Sequence, residues 1–437
     1  MANEHSDILS CPALVISAPS SGNGKTSITA GIARYHANRG RRVTIFKIGP
    51  DFLDPMIHER ASGNPVYNID LWMMGEAEAR RQLVKAAAKS DLILLEGVMG
   101  AFDGITSSAD CARCFDMPIL FVIDASTMAA TFGAIAHGLR SFQSDLKVLG
   151  VIGNRVASPN HEKMITESLK AEERYLGTIF RDLKYALPSR HLGLVQASEV
   201  RDLEEKLDIL AEAVGRTLLA ELPPPVSFRN PGSREGQPFL LGKRIGIAKD
   251  EAFSFIYIAN TDVLLDLGAE LVYFSPLRDS HVPEVDALWF PGGYPELHVE
   301  QLSNNSSMHE SIRAFHANDK PIYGECGGML YLMDSITDYV GKESKMVGLL
   351  EGKAIMQKKL VSVGMQEIIF TEGSLKGHSF HHSKLETTAE PTTHTIDQRN
   401  KSTGEAVYKV GKLFLSYFHG YFPSNMRATA SLFADIG

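Results

Sequence analysis

Near-continuous apolar runs of strand length recur along this chain, most of them followed by a stretch of helical periodicity. That alternation constrains the fold more than any other feature. In the first half the predicted strands are Ala13–Ala18, Val43–Ile48, Leu92–Glu96, Ile119–Asp124 and Val148–Ile152, with amphipathic stretches such as Ser27–Asn38 and Gly75–Lys89 between them. In the second half they are Arg244–Ala248, Leu271–Phe274, Ala287–Phe290 and Pro321–Tyr323. Strands apolar on both sides need cover on both faces, and a helix between successive strands makes them parallel. The expected class is α/β, with two doubly wound domains built on mainly parallel sheets. Ligands of such sheets gather at the carboxyl ends of the strands.

Between the halves lies Leu222–Phe239, LPPPVSFRNPGSREGQPF, rich in proline, glycine and polar residues. Three consecutive prolines, Pro223 to Pro225, cannot continue a helix, because each lacks an N–H and restricts its predecessor. The expected division is a first domain over 1–222, a linker over 223–242 and a second domain over 243–437, in keeping with a chain of 437 residues. Hydrophobic residues at 44% and charged residues at 22% exclude a disordered or fibrous chain. A net charge of −8 argues against nucleic acid or an anionic membrane as partner. The first ten residues carry Glu4 and Asp7 and lack the order of a signal peptide, and no apolar run approaches a membrane span. Four cysteines, Cys11, Cys111, Cys114 and Cys326, are too few for a disulfide framework. A cytoplasmic location follows, where a lone thiol can do chemistry.

The first strand runs into Ala18-Pro19-Ser20-Ser21-Gly22-Asn23-Gly24-Lys25-Thr26, and a helix follows. Gly22 and Gly24 let the backbone around Asn23 curl so that its N–H groups face a phosphate at the helix start. Lys25 would reach the β/γ-phosphates, and the Thr26 hydroxyl would bind Mg²⁺. Pro19 stands where the usual first glycine would be. Two strand ends nearby carry acids, in Lys47-Ile48-Gly49-Pro50-Asp51-Phe52-Leu53-Asp54 and in Glu96-Gly97-Val98-Met99-Gly100. Carboxylates there can complete a Mg²⁺ shell, which prefers oxygen, although Asp51 and Asp54 also suit turn or capping roles. Glu96 is harder to explain blandly, since it interrupts an apolar strand.

SGNGKTS, FKIGPDFLDP, NIDLWM and EGVMGAFDG resemble the dethiobiotin synthetase-like ATPases and, more narrowly, the synthetase domain of the cobyrinic acid a,c-diamide synthase family, over almost all of residues 12–220. The resemblance implies a P-loop synthetase domain that uses ATP to phosphorylate a substrate carboxylate. It further implies that Thr26, Asp51 and Glu96 surround Mg²⁺, that Asp54 and Asp103 help place a tetrapyrrole carboxylate, and that Asn154 meets the adenine. Deviant phosphate-loop ATPases of the partitioning type are a rival, but they carry an extra lysine early in the loop, where this chain has Pro19 and Ser20.

In the second half, Gly324-Glu325-Cys326-Gly327-Gly328 is a G-x-C-x-G form of the nucleophile elbow, a sharp strand-to-helix turn flanked by glycine. The helix start after it should favour the thiolate. His419, at the expected end of the apolar run Leu415–Phe418, is the candidate base that accepts the thiol proton and later protonates leaving ammonia. The N–H groups of Gly327 and of Gly293, in Phe290-Pro291-Gly292-Gly293-Tyr294-Pro295-Glu296, are candidate oxyanion donors.

PGGYPE, YGECGGM and YFHGYF together resemble the class I glutamine amidotransferase domain in its cobyrinic and cobyric acid synthase form, from about residue 243 to the C-terminus. The resemblance implies that Cys326 attacks the glutamine side-chain amide and forms a thioester. The usual His-x-Glu is absent, with Tyr421 in the acidic position, so a Cys-His dyad is expected, as in the cobyrinic subgroup. Three histidines, His378, His381 and His382, suggest metal, but no partner pair stands at ligand spacing. The resemblance instead puts His378 and His381 beside the substrate cleft, facing acetate or propionate groups. Cys111 and Cys114 fall in a predicted helix, Ser107–Phe115, as inert thiols sharing a face.

Joined, the halves point to an ammonia source feeding an ATP-activated carboxylate, and the two resemblances imply a carbon–nitrogen ligase with glutamine as nitrogen donor, acting with ATP, Mg²⁺, L-glutamine and an anionic tetrapyrrole in cobalamin biosynthesis. Alternatives are the nickel-sirohydrochlorin a,c-diamide synthases, the cobyric acid synthases, and a non-enzymatic ATP switch bearing a dead amidotransferase domain. A homodimer is left open.

Overall fold

The computed structural model describes residues 8–187, 189–190, 193–194, 196–232, 236–399 and 401–436. The start of the N-terminal segment and the centre of the expected linker lie outside them. The chain divides into two compact units, Met1–Ser233 and Arg234–Gly437.

The first unit holds β1 (Ile8–Ser17), α1 (Lys25–Ala37), β2 (Val43–Ile48), α2 (Leu53–Ser62), β3 (Tyr67–Ile69), α3 (Gly75–Ala87), β4 (Leu92–Glu96), α4 (Ser108–Cys114), β5 (Ile119–Asp124), α5 (Thr131–Ser141), β6 (Val148–Val156), α6 (Pro159–Thr166) and β7 (Tyr175–Phe180). A two-stranded pair, β8 (Ser189–Arg190) and β9 (Gly193–Leu194), precedes α7 (Leu203–Val214) and β10 (Pro225–Arg229). The sheet order is β3-β2-β4-β1-β5-β6-β7, and every pairing along that path is parallel. Strands β2 and β4 are buried at every position, as cover on both faces requires. Crossing from β4 to β1 reverses the strand order, and the phosphate-loop residues lie beyond β1 at that switch point.

Part of the expected linker is ordered. β10 pairs antiparallel with the first residues of β1, in the register Pro225↔Pro12 to Arg229↔Ile8. Its burial alternates, with Val226 and Phe228 inward and Pro225, Ser227 and Arg229 outward. Pro225 is tolerated as the first residue of a strand.

The second unit opens with β11 (Arg244–Ala248), α8 (Ile258–Asp266), β12 (Glu270–Phe274), β13 (Ala287–Phe290), α9 (Val299–Asn304), α10 (Ser306–Ala317), β14 (Ile322–Glu325) and α11 (Gly327–Leu332). A β-rich segment follows: β15 (Met333–Thr337), β16 (Glu343–Lys345), β17 (Leu350–Met356), β18 (Ser362–Phe370), β19 (Gly373–His381), β20 (Ser383–Glu386), β21 (Thr393–Asp397), β22 (Thr403–Val410), β23 (Leu413–Ser416) and β24 (His419–Gly420), before α12 (Met426–Ser431). Strands β12-β11-β13-β14-β23 are parallel, and the same sheet continues antiparallel through β22, β21, β18, β19 and β24. Strands β16-β15-β17-β20 form a separate small sheet. The parallel part is as the apolar runs predict. The antiparallel extension went unread, because its strands alternate in burial, as in β18, and lack continuous apolar runs.

Candidate active sites

In the first unit the loop after β1 ends at Gly24, whose left-handed φ of 94° caps α1. Lys25 points back along the loop, and its ammonium donates to the Ser20 carbonyl at 3.1 Å and the Met99 carbonyl at 2.6 Å. Burial, then the charge of Lys47, lowers the Lys25 ammonium to about 8. The Thr26 hydroxyl donates to Glu96 Oε1 at 2.8 Å. Two expected metal ligands therefore already touch.

Asp51 does the capping work that its position allows: Oδ1 accepts from the N–H groups of Leu53 (2.9 Å) and Asp54 (3.1 Å). Its other oxygen lies 3.6 Å from Lys47 Nζ. That lysine, buried at 2% exposure, also donates to Asp54 Oδ2 at 2.5 Å and to Glu96 Oε1 at 3.1 Å. Burial opposes the Lys47 charge, but Asp54, Glu96 and Asp51 outweigh it and hold the ammonium above the usual lysine range. Burial alone would raise Glu96; Lys47 and His58, whose Nε2 contacts Glu96 Oε2, outweigh it and hold that carboxyl low. Asp54 goes the other way, pushed to about 7 by burial and then by Asp51. Hydroxyl and carboxylate oxygens thus converge beside the loop. That donor set suits Mg²⁺, with the Lys47 ammonium as the cation that makes three acids tolerable and the His58 ring as a contact of Glu96.

Asp103 is exposed, and its Oδ2 accepts from the Gly100 N–H at 3.0 Å, closing the turn after β4. Asn154, expected to meet the adenine, touches the phosphate loop. It is buried, its amide donates to the Asn23 carbonyl at 2.8 Å, and a methyl carbon on Gly24 would fall 2.1 Å from its Nδ2. A buried amide needs partners, and this one finds them under the loop. Cys111 is buried and Cys114 half-buried, and burial raises both thiols, in keeping with inert groups on α4.

In the second unit Cys326 links β14 to α11 with φ 47° and ψ −113°, a strained conformation for a residue with a side chain. Its N–H donates to the Ser416 carbonyl at 2.8 Å, and Sγ lies 3.8 Å from the Phe380 carbonyl. A methyl carbon on Gly327 would fall 2.9 Å from Gly293 N, so the two expected oxyanion donors are neighbours. One on Gly292 would fall 2.3 Å from His419 Cε1. Elbow, Pro-Gly-Gly turn and base therefore meet in one place.

Two expectations change here. The helix start does not favour the thiolate unopposed: burial, then the Glu296 charge, pushes the Cys326 thiol well above its usual range, against the pull of the Gly327 N–H. His419 does not end β23, which stops at Ser416; it opens β24 and pairs with His378 of β19. Burial, followed by His378 and His381, holds its imidazole well below the usual value. Burial thus favours the neutral form of both groups.

His378 and His381, expected beside the substrate cleft, lie inside the second unit. Both are buried, at 4% and 7% exposure. The His378 ring stacks on His419 with centroids 4.8 Å apart, and its Nδ1 pairs with the Tyr257 hydroxyl at 3.2 Å. The His381 ring stacks on Tyr417 at 3.5 Å, and its Nε2 meets Glu405 at 3.2 Å. Strand β19 carries them into the thiol site, because the antiparallel extension of the sheet places it there.

Comparison with known proteins bears on both units. Residues 14–195 match the CobQ/CobB/MinD/ParA nucleotide binding domain, and residues 244–426 match the CobB/CobQ-like glutamine amidotransferase domain. The chain is 54% identical to the hydrogenobyrinate a,c-diamide synthase of Stutzerimonas stutzeri, over 97% of this chain and 98% of that protein. It is 53% identical to the protein of the same name from Pseudomonas aeruginosa, with the same coverage. The cobyrinate a,c-diamide synthase of Herminiimonas arsenicoxydans is 46% identical over 96% of each chain. The chain belongs to the cobyrinate and hydrogenobyrinate a,c-diamide synthase family.

Within this a,c-diamide synthase chain, sequence reasoning missed Lys47, His58, Glu325 and Asn260. Lys47 had a visible signal, a lone cation inside the apolar run VTIFKI. His58 stands one helical turn after Asp54 on α2, where i and i+4 share a face. Glu325 and Asn260 gave none, since their partners come from distant strands and turns.

Proposed function

We propose that the chain is a cytoplasmic ligase that amidates the a and c acetate carboxylates of hydrogenobyrinic or cobyrinic acid, consuming one ATP and one glutamine for each. The supporting observation is that each half gathers its reactive groups: Thr26 bonds Glu96 next to Lys25 at the loop, and beside the elbow Gly327 neighbours Gly293 while Gly292 neighbours His419.

Neutral His419 accepts the Cys326 proton as sulfur attacks the glutamine carboxamide. The oxyanion forms against the N–H groups of Gly327 and Gly293. His419 returns the proton to nitrogen, ammonia leaves, and water hydrolyses the thioester to glutamate. In the other unit the substrate carboxylate displaces ADP from the γ-phosphorus, and Lys25 stabilises the charge on the phosphate. Mg²⁺, held by Thr26, Asp51 and Glu96, would neutralise phosphate charge. Asp54 at the start of α2 and Asp103 on the turn after β4 would help place the incoming carboxylate. Ammonia then displaces phosphate from the acyl phosphate and gives the amide.

Relatives named for hydrogenobyrinate stand at 54% and 53% identity and those named for cobyrinate at 46% and below, which favours the hydrogenobyrinate substrate. The test is incubation with each macrocycle, ATP, Mg²⁺ and glutamine. The expected product differs in mass by two exchanges of hydroxyl for amino. Cys326→Ala should lose amidation from glutamine yet keep it from ammonium salts; loss of both in a folded variant refutes the division of labour.

A further inference from the structure

The turn that carries the base has no acid at the usual place, where Tyr421 stands. Its backbone is instead held from several distant elements. Asn260 of α8 donates from Nδ2 to the Gly420 carbonyl at 2.8 Å and accepts at Oδ1 from the Phe422 N–H at 2.8 Å. The Tyr421 N–H donates to the Lys376 carbonyl at 2.8 Å. The remaining amide, that of Gly420, donates to Glu325 Oε2 at 3.2 Å. Glu325 is buried at 2% exposure, and it also accepts from the Tyr323 hydroxyl (2.8 Å, Oε2) and the Trp289 indole N–H (3.2 Å, Oε1). It directly precedes Cys326, and Gly420 directly follows His419. One carboxyl therefore ties together the residues adjoining both members of the dyad.

We propose that Glu325 is the positioning residue that replaces the missing acid, fixing His419 through the Gly420 amide rather than through the imidazole. The proposal rests on Cys326 and His419 being the glutaminase pair. A carboxyl group suits this place because it presents oxygen to all three donors. A carboxamide would turn its NH₂ toward one of them and leave a buried donor facing a donor. Burial pushes the Glu325 carboxyl up to about 8, against the pull of its three hydrogen-bond donors.

The test compares Glu325→Ala, Glu325→Gln and a control, Met308→Ala, which removes a buried side chain of α10 away from these contacts. Glutaminase kcat and KM, ammonium-driven synthesis and thermal midpoint are measured for each full-length variant. A displaced base should lower kcat by about tenfold or more in Glu325→Ala, with KM within about twofold and the Gln variant intermediate. Ammonium-driven synthesis should be unchanged. Met308→Ala should lower the midpoint and leave kcat alone. A Glu325→Ala kcat no lower than that of Met308→Ala, or a rise confined to KM, overturns the proposal. If the Ala variant does not fold, the volume-conserving Gln variant carries the same comparison. Glutamine hydrolysis surviving in Cys326→Ala would instead remove the dyad on which the proposal rests.

Discussion

Gly292→Ala isolates the placement of the base from its chemistry. Gly292 has no left-handed φ, so alanine meets no backbone penalty there. Its carbonyl accepts from the Phe255 N–H at 3.0 Å, which pins the turn against Phe255. The new methyl carbon would fall 2.3 Å from His419 Cε1 and 3.1 Å from Nδ1. To reach ordinary contact the ring must retreat by about 1 Å, a misplacement that costs on the order of 100-fold in rate, or about 2.7 kcal/mol of transition-state stabilisation. Overpacking should cost about 1–3 kcal/mol of stability as well, so both quantities need measuring. Glutaminase kcat should fall by about two decades while synthesis from ammonium salts continues. In a His419→Ala background the glycine substitution should add little, because the group it displaces is gone. A kcat within about threefold of wild type in Gly292→Ala, or full additivity with His419→Ala, would refute the placement of His419 as base.

Further outcomes follow from the charges. Lys47→Met leaves Asp51, Asp54 and Glu96 without their cation, so the thermal midpoint should drop by the equivalent of about 3–5 kcal/mol and added Mg²⁺ should restore more of it than in wild type; an unchanged midpoint would contradict the buried network. Because His419 sits well below its ordinary 6.5, it stays neutral as pH falls through that value, and kcat/KM for glutamine should show no histidine inflection there. The unfolded chain then binds the proton that native His419 refuses, so this group's contribution to stability declines as pH drops below 6.5. Glu325 has the opposite sign: between 4.5 and about 8 the native state keeps a proton that the unfolded chain has lost, so its contribution declines as pH rises through that window. An acid limb at 6.5 in a titration of glutaminase activity would sink the assignment of a buried neutral base.

The phosphate loop, its acids and the elbow were legible because each is local: residues close in sequence at the end of an apolar strand. Thr26 and Glu96 could be paired in advance because parallel strands bring such ends together. Lys47 was visible yet unassigned, since its role depends on three acids gathered from β4 and the start of α2. The packing of His378 and His381 was hidden for a different reason: their strand belongs to the antiparallel extension, whose register with β24 no local pattern reveals, so their stacking on His419 and Tyr417 has no signal in the sequence. The bond from Asn154, a polar strand end, to the Asn23 carbonyl of the loop is likewise one that no local pattern reveals. The start of the linker was overcalled as irregular because its prolines outweighed the short alternation of Val226 and Phe228.

That strand decides where the polypeptide can be cut. A nucleotide-binding fragment ended at residue 221, just before the prolines, would strip the partner from Ile8–Pro12 and leave an unpaired edge inviting aggregation. Carried through residue 232, where the Gly232 carbonyl receives the Arg81 guanidinium at 3.0 Å, the fragment keeps its seam closed. Separate production of the two catalysts, needed to time ammonia release apart from its capture, should therefore begin from the longer version.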